Sequence, residues 1–134
     1  MSTAEAPTIV TGVDFVSVPT QDLERAVAFY GTALGLERSM YKPQHNFAEF
    51  ETGSVTLTVV NPELMGIGSF QPNANHLALQ VEDVHASRAL LEERGVTFSG
   101  EVFDTGVCHM AFFADPDGNA LMLHHRYAPR VPES

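Results

Sequence analysis

Two stretches of the sequence that lie 61 residues apart decide the fold: Phe15-Val16-Ser17-Val18 and His76-Leu77-Ala78-Leu79. Side-chain size or polarity alternates along both, which is typical of a β-strand. An aspartate follows each stretch, Asp22 in the first half and Asp83 in the second, and each is placed to cap a helix. The same strand and capped helix are therefore expected twice.

The rest of each half supports an internal repeat. Gly35 and Gly95 stand where the two helices should end, because glycine suits the left-handed residue that closes a helix. Near the end of each half, Gly53 aligns with Gly118 if about four residues are inserted in the second copy. Each half then has the order strand, helix, strand, strand, strand. One copy alone would leave a sheet face unburied, so both copies are expected in one domain.

The chain divides into segments around this repeat. We predict a flexible N-terminal arm (1–8), a first module (9–60), a connector (61–75), a second module (76–127) and a C-terminal tail (128–134). Strands are predicted at 13–18 and 76–81, around the two stretches already quoted, and at 47–51, 55–60, 96–98, 107–114 and 120–125.

The composition excludes several classes of protein. The chain has 134 residues and a formal net charge of −10, with 17 acidic residues against 7 Lys and Arg. Such a surface has no basic stripe to neutralise phosphates, so neither nucleic acid nor an anionic membrane is an expected partner. The single cysteine, and a start that lacks a signal-peptide pattern, lead us to expect a cytoplasmic protein.

Three motifs carry a resemblance to a known superfamily. They are Asp22 to Tyr30 with Leu34-Gly35-Leu36, then Asn75 to Val81, then Phe113 to Asn119. In this order and spacing, the stretch from about Val13 to Tyr127 resembles the vicinal oxygen chelate superfamily, which includes glyoxalase I, extradiol dioxygenases and bleomycin resistance proteins. The resemblance implies an α+β fold of two βαβββ modules, whose mixed sheets curl around a cavity.

The resemblance also marks four positions where metal-binding members carry ligands: Phe15, Leu57, His76 and Met122. Only His76 has a donor that suits a hard or borderline divalent cation. The metal site is therefore predicted to be degenerate, and no cofactor is predicted.

A substitute site is the alternative. His124 lies two residues beyond Met122 and so shares its strand face. His76 and His124 could converge with Glu49 or Glu101 on a metal, or either histidine could act as a general base.

The cavity is predicted to be mostly apolar. Its expected lining residues are Phe15, Ser17, Leu57, Ala78, Gln80 and Met122, with His76 and His124 as the candidate catalytic groups. Strand 107–114 places Met110 and Phe112 on one face and His109 on the other, and the sequence does not decide which face is inward.

Three functional classes follow. The first is a protein that binds a small apolar or aromatic molecule without a metal. The second is an enzyme, either a metal-dependent lyase or dioxygenase with a displaced site or a metal-free isomerase that uses His76 or His124 as base. The third is a module without a ligand. The resemblance further implies a homodimer.

Overall fold

A computed structural model describes residues 6–130 of the chain. Residues 1–5 of the predicted arm and 131–134 of the predicted tail lie outside the described residues.

The first module has the predicted order of elements. Strand β1 (Phe15–Pro19) leads into helix α1 (Leu23–Ala28), and the side chain of Asp22 caps this helix by accepting a hydrogen bond from the backbone N–H of Arg25. The helix then widens into a π-helical turn (Phe29–Ala33). Three strands follow, β2 (Glu37–Lys42), β3 (Phe47–Glu51) and β4 (Thr56–Val60).

The second module repeats this order after a short helix α2 (Pro62–Met65) in the connector. Strand β5 (Leu77–Gln80) precedes helix α3 (Val84–Glu93), which Asp83 caps. Its last three strands are β6 (Phe98–Asp104), β7 (Cys108–Ala114) and β8 (Ala120–Arg126).

Each module forms one mixed four-stranded sheet. The strand orders are β1-β4-β3-β2 and β5-β8-β7-β6, and in each the first strand is parallel to its neighbour while the other pairs are antiparallel. The predicted α+β class and its two βαβββ modules are thus confirmed, and the two sheets are not closed into a barrel.

Two edge strands differ from the prediction. β2 occupies the stretch before Pro43, where the sequence shows little alternation, and β6 covers Phe98–Asp104 rather than 96–98. Both strands contain irregular register, between Arg38 and Met40 in β2 and between Ser99 and Phe103 in β6. A bulge shifts the period-2 pattern, so the hydrophobic alternation that marks a strand is lost.

The register of the sheets corrects the alignment of the repeat. Val16 lies beside Leu57 in the first sheet, and Leu77 lies beside Leu121 in the second. With a shift of 61 for the first strands, the last strands are therefore shifted by 64 residues, and three residues are inserted rather than four. Thr58, not Leu57, is equivalent to Met122, because a slip of one residue moves a side chain to the opposite face.

One hydrophobic core joins the two modules. It lies between the sheets and their helices and contains Tyr30, Phe50 and Leu57 from the first module with Leu121 and Leu123 from the second. Leu57 has no exposed surface and Leu123 retains only 2%. The helix-facing side of each sheet therefore stabilises the fold, which leaves the opposite sheet faces free for other roles.

No helix among residues 6–130 is long and apolar enough to cross a membrane.

Candidate functional site

Each sheet has one face that its helix does not cover, and we call it the open face. On the first sheet, two rows of directly opposed residues cross this face. The outer row is Phe15, Thr56, Glu51 and Glu37, and the inner row is Ser17, Thr58, Glu49 and Met40. Phe15 is 56% exposed, which is a large apolar area for a strand residue.

The open face of the second sheet has a different chemistry. Its rows are Ala78, Met122, Phe112 and Ser99, and then Gln80, His124, Met110 and Phe103. His76 directly precedes β5, and its ring packs edge-to-face on Phe112 with a centroid separation of 5.0 Å. Sulfur, aromatic and imidazole groups thus share one surface, and Phe103 at its edge is 55% exposed.

The register also settles which face of β7 is open. Met110 and Phe112 lie on the open face, since they are opposite His124 and Met122. His109 lies on the helix-facing side, where its ring contacts His85 at 5.4 Å and Tyr127 at 4.8 Å. Cys108 and His109 point to opposite faces and do not form a nucleophile and base pair.

Most of the predicted binding residues therefore lie on the open faces. Phe15 and Ser17 lie on the first sheet, and Ala78, Gln80 and Met122 lie on the second with His76 and His124. Leu57 is the exception, because it is next to Val16 in the register and belongs to the core. The prediction that Leu57 shares a sheet face with Phe15 is wrong, and its place is taken by Thr58.

Thr58 has a property that sequence reasoning missed. It is only 5% exposed, and its hydroxyl oxygen has no hydrogen-bond partner within the described residues. Its neighbours across the strands are Ser17 and Glu49. A buried hydroxyl without a partner costs about 1–3 kcal/mol, so a polar group brought to this face would relieve that cost. The correct strand register is the signal that would have found it.

Glu51 lies in a local hydrogen-bond network on the first open face. Its carboxylate accepts hydrogen bonds from the hydroxyls of Ser39 and Thr56. These hydrogen bonds, that of Ser39 first, hold the pKa of Glu51 below its ordinary value. The first open face therefore carries negative charge at neutral pH.

The residues at the four family positions do not fit a divalent metal. With the corrected register these positions are Phe15, Thr58, His76 and Met122, which supply one imidazole, one hydroxyl and one thioether. Catalytic zinc sites use three nitrogen, oxygen or thiolate donors, and a thioether suits soft ions. Across residues 6–130, no three His, Cys, Asp or Glu side chains are grouped so that they could hold a metal ion. The substitute set of His76 and His124 with Glu49 or Glu101 is not such a group.

The β7–β8 turn joins the second module to the first, and we call its residues Asp115–Asn119 the inter-module clamp. Asp115 accepts hydrogen bonds from the Tyr30 hydroxyl at 2.6 Å and from the Asn119 side chain at 2.8 Å. Asp117 accepts from the Thr20 hydroxyl at 2.6 Å and from Arg25 at 3.0 Å. Gly118 has a φ of +88°, which glycine adopts without strain, so the turn can present its carboxylates to α1 and the π-helical turn.

Burial and the neighbouring Asp115 raise the pKa of Tyr30 far above its ordinary value. Tyr30 stays protonated and donates to the Asp115 carboxylate, so the clamp is a neutral hydroxyl on a buried anion. The clamp positions the modules and is not itself a candidate site.

The fold and its open faces define a class of protein, and comparison with known families agrees. The model of the Glyoxalase/Bleomycin resistance protein/Dioxygenase superfamily matches residues 12–123. The chain belongs to this superfamily.

Solved structures with the same fold include proteins of differing function. A glyoxalase/bleomycin resistance protein/dioxygenase from Nocardioides has a TM-score of 0.77 at 20% identity, with 98% of this chain and 93% of that chain covered. Lactoylglutathione lyase from Agrobacterium tumefaciens has a TM-score of 0.74 at 18% identity, covering 86% and 93%. TnmS3, an antibiotic-binding protein from Streptomyces sp. CB03234, has a TM-score of 0.73 at 27% identity, covering 90% and 99%.

Proposed function

We propose that this protein binds a small aromatic molecule on the open face of its second sheet and does so without a metal ion. The observation that carries this proposal is the group formed by His76, Phe112 and Met122. Their apolar surfaces lie side by side on the sheet face opposite α3. An uncovered aromatic and sulfur surface of this kind is typical of a binding site.

The charge of the chain favours a neutral or cationic ligand. The formal net charge is −10, and Glu49 and Glu51 place carboxylates on the open face of the first sheet. A cation would be attracted to this field, while an anion would be repelled. The likeness to an antibiotic-binding protein at 27% identity supports binding over catalysis. We also propose a cytoplasmic location, in keeping with the single cysteine.

We further propose that two copies associate. Phe15 and Phe103 are each more than half exposed on the open faces, and a second copy would cover such apolar area. The alternative of a metal-free isomerase that uses His76 or His124 as base stays a prediction. Within residues 6–130, the histidine hydrogen bond is made by His125 and the histidine ion pair by His109, so neither involves His76 or His124.

Fluorescence titration and thermal melts with three aromatic probes test the binding function. The probes are acridine orange (cationic), N-phenyl-1-naphthylamine (neutral) and 1-anilinonaphthalene-8-sulfonate (anionic). We expect saturable binding of acridine orange, and Phe112→Ala should weaken it about fivefold, because one aromatic contact contributes about 1 kcal/mol. A ligand at 100 times its Kd stabilises by about 2.7 kcal/mol, which a melt resolves.

Ile67→Ala is the matched control, because Ile67 is 69% exposed in the connector and lies on neither sheet. It should leave the affinity unchanged. Light scattering on the same samples should give twice the chain mass of 14.6 kDa. The absence of saturable binding for all three probes, or equal affinity for wild type and Phe112→Ala, would overturn the proposal.

A further inference from the structure

A cavity of about 590 Å³ lies between the two modules, and both faces of the edge strand β5 contribute to its lining, Leu77 and Leu79 from the helix-facing side and Ala78 and Gln80 from the open face. It lies between the β3–β4 turn (residues 52–55) of the first module and the segment from β5 to α3 of the second. Its volume is within the range of about 300–1,000 Å³ that is usual for small-molecule sites. It is separate from the group formed by His76, Phe112 and Met122, none of which lines it.

The repeat explains why this cavity exists. The clamp turn of the second module packs on Pro19, Thr20, Gln21, Arg25 and Tyr30. In the second module, 61 residues further on, the equivalents of Thr20, Gln21 and Tyr30 are Val81, Glu82 and Leu91. All three of these residues line the cavity. The cavity is therefore the counterpart of the clamp on the other side of the pseudo-symmetric molecule.

The side chains at the two places differ in size. In the clamp, Asp115 and Asp117 reach across to Tyr30 and Thr20, and the Asn119 side chain donates a hydrogen bond to the carbonyl of Pro19. The β3–β4 turn has Thr52, Gly53 and Ser54, which are too small to reach α3, and a leucine replaces the tyrosine. Because neither side fills the gap, a space remains where its counterpart is packed.

The chemistry of the lining points to an uncharged ligand. Eight of the nineteen lining residues are leucines, and Leu57, Leu91 and Leu123 among them belong to the core. Glu82 and Arg94 are the charged residues of the lining, and their charges are opposite. Arg94 also donates a hydrogen bond to the carbonyl of Ala33 at 2.7 Å, which ties α3 to the end of the π-helical turn beside the cavity.

We infer that this cavity is a second binding site, which takes a small uncharged apolar molecule in the place that the clamp turn occupies in its counterpart. The inference does not rest on the function proposed for the open face. An apolar ligand would bury its surface against leucine side chains that otherwise face an empty volume, which is the favourable term in such binding.

N-phenyl-1-naphthylamine, a neutral apolar fluorophore, is the probe for the test. Ser87→Trp should fill the cavity from α3 and weaken probe binding at least tenfold. Ala86→Trp adds the same side chain at the neighbouring exposed position, which is not in the lining, and should leave the affinity unchanged. Ser54→Trp fills the cavity from the turn instead, so it keeps the test valid if Ser87→Trp does not fold.

Phe112→Ala separates the two sites. We expect Phe112→Ala to abolish probe binding on the open face and to leave probe binding in the cavity unchanged. Ser87→Trp should abolish only the binding in the cavity. If no probe binding is lost in a folded Ser87→Trp or Ser54→Trp variant, the cavity is not a binding site and the inference is wrong. Failure of the open-face proposal alone would appear as binding that Ser87→Trp abolishes and Phe112→Ala does not change.

Discussion

The two modules have the same order of elements and the same strand register, and they differ in what their equivalent side chains do. On the open faces, Ser17, Thr58 and Glu49 of the first module correspond to Ala78, Met122 and Phe112 of the second. At these three positions the first face is polar and the second is apolar. The core residues that face the helices are thus hydrophobic in both modules, while the residues on the two open faces differ.

The same division appears where the modules meet. The second module contributes a turn with two carboxylates, and the first contributes a turn of small residues. One side of the contact is packed and hydrogen-bonded, and the other contains a cavity. Function therefore has to be assigned to each module separately, even though the two modules have the same order of helices and strands.

Removal of the clamp carboxylate should have the largest effect on this comparison. Asp115→Ala leaves the buried Tyr30 hydroxyl, the Asn119 side chain and two backbone N–H groups without their acceptor. We expect a loss of about 3–5 kcal/mol in the free energy of unfolding, measured by urea titration. Thr52→Ala, at the first residue of the other turn, should cost only about 1 kcal/mol. Similar losses in the two variants would show that the modules are not held by the clamp.

A smaller effect is expected at Tyr30, whose counterpart is Leu91. Tyr30→Phe removes one hydrogen bond to a buried carboxylate and should cost about 1.5–3 kcal/mol at pH 7. Because the folded state raises the pKa of Tyr30, the unfolded chain loses this proton first as the pH rises. Stability is then full below about pH 10 and falls above it by about 1.4 kcal/mol per pH unit.

The Tyr30→Phe variant should show a smaller alkaline decrease, which a series of urea titrations between pH 9 and about pH 11 would detect. A part of the decrease remains, because the hydrogen bond to Asp104 also raises the pKa of Tyr127. Tyr41→Phe is the control, since Tyr41 is outside the clamp and should leave the slope as in the wild type. An unchanged slope in Tyr30→Phe would contradict the assignment.

The smallest effect is expected at Glu51, whose counterpart Ala114 cannot ionise. The folded state lowers the pKa of Glu51, so its contribution is present above the ordinary glutamate pKa and is lost as the pH falls through the lowered value. Glu51→Gln should reduce the acid-side decrease in stability, as followed by thermal melts in steps below pH 5. Glu63→Gln in α2 serves as the comparison, and the two variants should differ only in acid.

Much of the fold could be predicted because its signals are local. Asp22 and Asp83 cap their helices as the sequence predicts, and Gly35 and Gly95 have the positive φ expected at helix ends. β2 and the part of β6 after Phe98 could not be placed, because bulges in edge strands interrupt the alternation on which strand prediction depends.

The candidate site was predicted less completely, and for a different reason. Successive residues of a strand point to opposite faces of the sheet. Because the number of residues inserted in the second copy of the repeat is predicted one too high, Leu57 is assigned to the open face in place of Thr58. Of the predicted cavity residues, Leu57, Ala78 and Gln80 line the cavity between the modules. Its place beside the β3–β4 turn could not be predicted, because it depends on how far turn side chains reach across a contact between distant segments. No local pattern contains that information.

The clamp has a consequence for how the protein is held together as an assembly. With Asp115 bound to the π-helical turn and Asp117 bound to α1 and to Thr20 before it, the two modules resemble a dimer of domains whose subunits are joined by a tether. The connector then acts by raising the effective concentration of one module around the other, and a modest contact can stay closed. Because the tether keeps the two modules together, their contact does not have to be well packed everywhere. The cavity on the side opposite the clamp can therefore persist.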